Sequence, residues 1–172
     1  MLTTLVRLLL LSMGLGLAAS AYPDDGIVNR EYQLKTAYLF HFAELTEWPD
    51  SPATVTICSQ GSTPIRDYLP ILEGRQAHDR IVHVLQGDAL AIEQCRILLL
   101  GETEELSRAL LEKARSRHVL LISDSEDFAR NGGMIQFTLR DNRLKLVINL
   151  TSVRQAGLKL SSKLLRMAEI LE

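Results

Sequence analysis

Two cysteines, four histidines and one pair of adjacent glycines are the residues of this 172-residue chain whose types and spacing could carry chemistry. Cys58 and Cys95 alone are too few for a zinc site, and no Cys-x-x-Cys or His-x-x-x-His spacing adds ligands. They form either a disulfide or two separate buried thiols. His41, His78, His83 and His118 share no metal-binding spacing. Neither a Gly-x-Ser-x-Gly elbow nor a His-Glu-x-x-His motif occurs. A catalytic triad drawn from distant residues, as in a secreted hydrolase, is the one enzymatic arrangement that spacing leaves open.

The glycines stand in Asn131-Gly132-Gly133-Met134-Ile135-Gln136-Phe137. A phosphate-binding loop puts its glycines after a strand and before a helix, where free helix N–H groups hold the anion. The order here is reversed: a short helical turn precedes the pair and an alternating strand follows it. Asn131-Gly132 therefore reads as a helix stop at positive φ, and Gly133 lets the chain swing into the next hairpin, with positive φ expected there too. No nucleotide or other cofactor is implied. Trp48-Pro49 closes the first helical segment; Trp48 reads as a buried anchor, with an exposed hot spot for a partner as the alternative.

These residues need elements to hold them. In "REYQLKTAYLFHFAELTEWPD", Leu34, Ala37, Tyr38, Phe42 and Leu45 fall on one helical stripe, which is expected to face the core. "TVTICSQG" and "RIVHVL" read as strands, and a short helix is expected around "TPIRDYLPIL". "CRILLLG" and "HVLLISD" are nearly continuous apolar runs, suited to strands covered on both faces. The helical "ETEELSRALLEKARSR" between them completes a βαβ unit, with acids leading and bases trailing as the helix dipole favours. "SDSEDFARNGG" reads as one helical turn capped by Ser123 or Ser125. "MIQFTLR" and "RLKLVINL" alternate about Asp141-Asn142, a tight hairpin. The last segment is expected to end in a helix with Leu160, Leu164, Ala168 and Leu171 buried, while Arg154, Lys159, Lys163 and Arg166 stay solvated. The fold class is α/β: a single domain, a mixed β-sheet with helices packed on it, and a C-terminal β-hairpin followed by a helix.

The ends and the charge bound the setting. Arg7, the apolar run Leu8–Ala18 and Ala19-Ser20-Ala21 fit a secretory signal peptide over residues 1–21, cleaved before Tyr22. Residues 22–29 read as a mobile new N-terminus and residues 30–172 as the domain. Cleavage removes Arg7 alone among the charges. The remaining 151 residues carry 18 basic and 21 acidic groups, a net charge of −3 with no basic stripe, so nucleic acid is not a partner.

In order along the chain, "LKTAYLFHFAELTEWP", "VTICSQG", "CRILLLG", "GGMIQF", "LKLVIN" and "AGLKLSSKLLRMA" resemble the YfiR family from about Leu34 to Ala168. The resemblance implies a periplasmic regulator without enzymatic activity. Such a protein would bind the periplasmic sensor domain of an inner-membrane diguanylate cyclase and hold it inactive, lowering cyclic di-GMP and biofilm formation. An OmpA-like outer-membrane lipoprotein would capture the repressor and release the cyclase; a homodimer is left open. Cys58 and Cys95 match the family's bridging pair. Some members have a second pair in the C-terminal half; this chain has none, so redox control would rest on one bridge. The alternative function is a periplasmic small-ligand sensor acting on another membrane signalling protein.

Overall fold

The structure, a computed structural model, describes residues 25–102 and 104–172. The expected signal peptide lies outside the described residues. The expected mobile lead is helical from Asp25 onward, because helix α1 spans Asp25–Leu45.

The strands are β1 (Thr46–Glu47), β2 (Thr54–Gln60), β3 (Gln76–Ala77), β4 (Arg80–Gly87), β5 (Ile97–Leu100), β6 (Leu120–Ser123), β7 (Ile135–Arg140), β8 (Arg143–Asn149), β9 (Lys159–Leu160) and β10 (Ala168–Leu171). Helix α2 (Arg108–Ser116) joins β5 to β6, and α3 (Leu150–Gln155) and α4 (Ser162–Leu165) follow β8. Eight strands form one mixed sheet in the order β10-β8-β7-β6-β5-β2-β4-β3, while β1 and β9 pair apart from it. The centre, from β4 through β2, β5 and β6 to β7, is parallel; β7–β8 is the antiparallel hairpin. Every residue of β5 and β6 is buried, as continuous apolar runs require in a sheet covered on both sides. Asp141 and Asn142 both take positive φ, 52° and 55°, the conformation of a two-residue hairpin turn.

Helix α1 differs from its expected orientation. Leu39, Phe42 and Ala43 are fully buried, with Lys35 and Thr36 beside them, whereas Leu34, Ala37 and His41 are exposed and Tyr38 and Leu45 only half-buried. Of the expected stripe, Phe42 alone is in the core. The helix has two apolar faces, and periodicity selects between them poorly when both are apolar.

Two expected helices are replaced. Around Pro64 and Pro70 the chain makes two 3-10 turns, Pro64–Asp67 and Leu69–Leu72, because Pro70 cannot continue a helix. The hairpin is followed by α3 as expected, but the chain does not end in a helix. Gly157, at φ 70°, donates to Arg154 O while Leu158 N donates to Val153 O, stopping α3. Beyond α4, Ala168 and Leu171 belong to β10, which pairs parallel with β8; the open backbone of β8 outweighs the helical pattern there.

The turn before β7 explains both adjacent glycines. Gly133 N donates to Phe128 O at 2.9 Å and Gly132 N to Ala129 O at 3.4 Å, with Gly132 at φ 102°. This is a Schellman stop, and strand β7, not a helix, follows it, so no helix N-terminus is there to hold a phosphate. Gly133 itself is not at positive φ, contrary to expectation. It is required because a Cβ there would lie 2.2 Å from the Phe128 ring. Gly133→Val should therefore cost about 2–3 kcal/mol by overpacking. Pairing it with Phe128→Ala should leave a smaller increment from the valine in denaturant unfolding; an undiminished increment would return the cause to the backbone.

Candidate functional site

The sequence-predicted site residues occupy three separate places. Cys58, the fifth residue of β2, and Cys95, two residues before β5, form a disulfide inside the core with Cα atoms 5.7 Å apart. Trp48 and Pro49 stand at the exit of α1. Trp48 is buried; its Nε1–H donates to His118 O at 3.0 Å and Arg80 stacks on its ring at 5.4 Å. The same guanidinium donates to Ala43 O and Thr46 O, satisfying carbonyls at the end of α1. Gly132 and Gly133 form the stop before β7. None of these six residues meets the others in a cleft.

The histidines are likewise dispersed. His41 pairs with Glu44, His83 with Glu73, and His118 Nδ1 lies 2.7 Å from Ala156 O, while His78 occupies a tight turn at φ 56°. Among the described residues, no three His, Cys, Asp or Glu side chains are arranged to hold a metal ion.

Two concave regions flank α1, and the sequence reading identified neither. The first is a polar cleft at the carboxyl ends of the parallel strands, beside the point where the chain reverses from β4 across β2 to β5. Open parallel sheets bind ligands at such points. Lys35 from α1 sits there with its side chain 6% exposed, 2.6 Å from Glu31 and 2.9 Å from Asp124, which follows β6. The rings of Tyr32 and Phe137 approach its ammonium at 5.3 and 6.0 Å. Burial alone would push the Lys35 ammonium down. The hydrogen bonds and charges of Glu31 and Asp124 outweigh it and hold the group above the usual lysine range. A lysine so held stays protonated and is no nucleophile. Thr36, next to Lys35, donates to Tyr32 O and Ser123, next to Asp124, donates to Leu100 O, so both hydroxyls are committed to the backbone. The cleft therefore reads as an ionic clasp fastening α1 to the sheet.

The second region is an open apolar groove along the outer face of α1. At one end, Leu34, Leu139 and Leu144 line a groove of about 670 Å³ together with Arg30 and Arg143. At the other, Leu34, Tyr38, Leu45 and Met167 line a smaller depression of about 200 Å³ beside Lys163. Leu34, Leu139 and Met167 are 44%, 52% and 45% exposed, half of the large hydrophobic side chains left open to water among the described residues. Contiguous exposed apolar surface of this kind marks interaction sites. Its sequence signal is the surplus of apolar residues on α1, more than one buried face can use.

Residues 32–169, nearly the whole described chain, match the family described as DUF4154, YfiR/HmsC-like. A search of curated proteins finds no match.

Proposed function

Because the chain belongs to the YfiR/HmsC-like family, we propose that it is a periplasmic regulatory protein acting by binding rather than catalysis. Its target is the periplasmic sensor domain of an inner-membrane diguanylate cyclase, which it holds inactive, and an OmpA-like outer-membrane lipoprotein relieves the block. The family match over residues 32–169 carries this reading. Three features of the molecule support it. The lysine at the strand ends is tied up as an ion pair, which suits a scaffold more than an active site. The Cys58–Cys95 bridge suits an oxidising compartment. The apolar groove along α1 suits a protein partner.

Deleting the gene in its native host should raise cyclic di-GMP and surface attachment, and restoring it should lower both. Nucleotide quantified by mass spectrometry decides the point. A level unchanged or reduced in the deletion strain would remove the brake from the reading.

A further inference from the structure

We propose that the groove along α1 is the docking site for one amphipathic helix with acidic flanks, supplied by the periplasmic part of the signalling partner. The inference rests on the regulatory reading above and specifies its contact surface.

The geometry of α1 selects a helix as the occupant. Leu34, Tyr38, His41 and Leu45 on its outer face are spaced four, three and four residues apart. That is the repeat with which two helices interlock side chains along a seam. From Arg30 to Leu45 the seam runs about 24 Å at 1.5 Å per residue, room for about four helical turns. Leu139 and Leu144 on the β7–β8 hairpin form the far wall at one end, and Met167 after α4 forms it at the other. Apolar anchors recurring along one helical face are what such a groove accepts.

Charge selects the flanks. The mature chain is net negative, yet the groove is not. Glu31, which lines it, is engaged with Lys35, and Glu44, beside it on α1, with His41. Arg30, Arg143 and Lys163 line it, and among the described residues none of them has an acidic partner. An occupant with glutamates or aspartates beside its apolar stripe pairs with these cations; one with basic flanks is repelled. The same apolar surface could meet a second copy of this chain, but the copy would bring the same unpaired cations to a shared interface, and like charges oppose that arrangement.

The test uses a stapled helical peptide with leucines in a three–four repeat and glutamates on both flanks, beside its lysine-flanked twin. Fluorescence anisotropy should show the glutamate peptide binding and the twin not. Leu139→Glu with Arg143→Glu should weaken the glutamate peptide by about tenfold or more, a change of about 1.4 kcal/mol per decade. Both substituted side chains are exposed, so the melting temperature should hold, and cells carrying the variant should show the high cyclic di-GMP of the deletion strain. Equal binding of both peptides, binding of neither, or binding undiminished in the double variant would overturn the assignment. So would a dimer in sedimentation that the double variant abolishes, since the groove would then belong to a second copy. If deletion raises cyclic di-GMP but the folded double variant still represses, the groove assignment fails and the regulatory reading stands. If deletion itself leaves cyclic di-GMP unchanged, the regulatory reading fails, and the peptide measurements alone decide what the groove accepts.

Discussion

Replacing Cys58 and Cys95 together by serine is expected to lower unfolding stability by about 4 kcal/mol, from the chain-entropy cost of leaving a loop with a sequence separation of 37 residues unclosed. A domain of this size has about 5–15 kcal/mol in all, so the loss would take from about a quarter to most of its stability. Position adds to the loop term. Cys58 and Cys95 are 0% and 3% exposed, so two serine hydroxyls would be buried in an apolar core. The bridge also ties β2 to the entry of β5, and β2 is paired on both sides, with β4 and β5. Loosening β2 therefore reaches the middle of the sheet. The same burial bears on redox control. A reductant cannot reach the sulfurs in the folded protein, so reduction must wait for the domain to open. Reducing agent alone should therefore act slowly on native protein and fast in mild denaturant. Free-thiol labelling over time, with and without denaturant, checks this. Two thiols that label in oxidised protein unfolded without reductant would rule the bridge out, and redox control with it.

Legibility in the sequence followed the strength of each local signal. The parallel centre was legible because Ile97–Leu100 and Leu120–Ser123 are almost wholly apolar runs, shorter than a buried helix and suited to a doubly covered strand. The hairpin was legible because alternation on both sides of Asp141-Asn142 fixes register and turn together. The outward face of α1 was not. Leu34, Ala37, Tyr38 and Leu45 make as good a stripe as Leu39, Phe42 and Ala43, and only the tertiary fold decides which one is covered. The missing datum was in fact charge: Lys35 and Thr36 sit on the buried side, and a lysine argues against that side until its partner Asp124 is known, 89 residues away. At the C-terminus a local signal existed in Gly157, a helix stop of the same kind as Gly132. Strand β10 had none, because its four residues become a strand by pairing with β8. The ion clasp combines residues from α1 and the loop after β6, and no spacing rule joins such distant positions.

Lys35→Met is expected to cost about 3–5 kcal/mol, the usual loss when one member of a buried ion pair is removed and the other keeps its charge. The asymmetry decides the size. The Asp124 side chain is only 11% exposed, and its Oδ1 is already buried without a partner among the described residues; Lys35 is what compensates Oδ2. A pair exposed to solvent would contribute little, but this one is screened by protein on nearly every side. Lys35→Met with Asp124→Leu should recover part of the loss, since the Asp124 charge is removed with its partner while Glu31, 18% exposed, still loses Lys35. The pH dependence has a definite sign. The Lys35 ammonium is held above its unfolded value, so its contribution is fully present below the ordinary lysine pKa of about 10.4 and fades as pH rises through the folded value. The stability gap between parent and Lys35→Met should narrow above that pH. Tyr32 ionises in the same range and is itself raised by burial, then by Glu31, so both proteins should carry Tyr32→Phe. Denaturant midpoints from pH 8 to 11.5 then isolate the lysine; a gap that stays constant would mean the clasp is not ionic. The clasp also sets which way α1 faces. Lys35 fastens the inner side of the helix to the end of β6, and Leu34, its neighbour in sequence, is thereby turned to the groove. In the Lys35→Met, Asp124→Leu protein, stability should return more completely than binding of the glutamate-flanked peptide, because packing replaces the energy of the clasp without replacing its geometry.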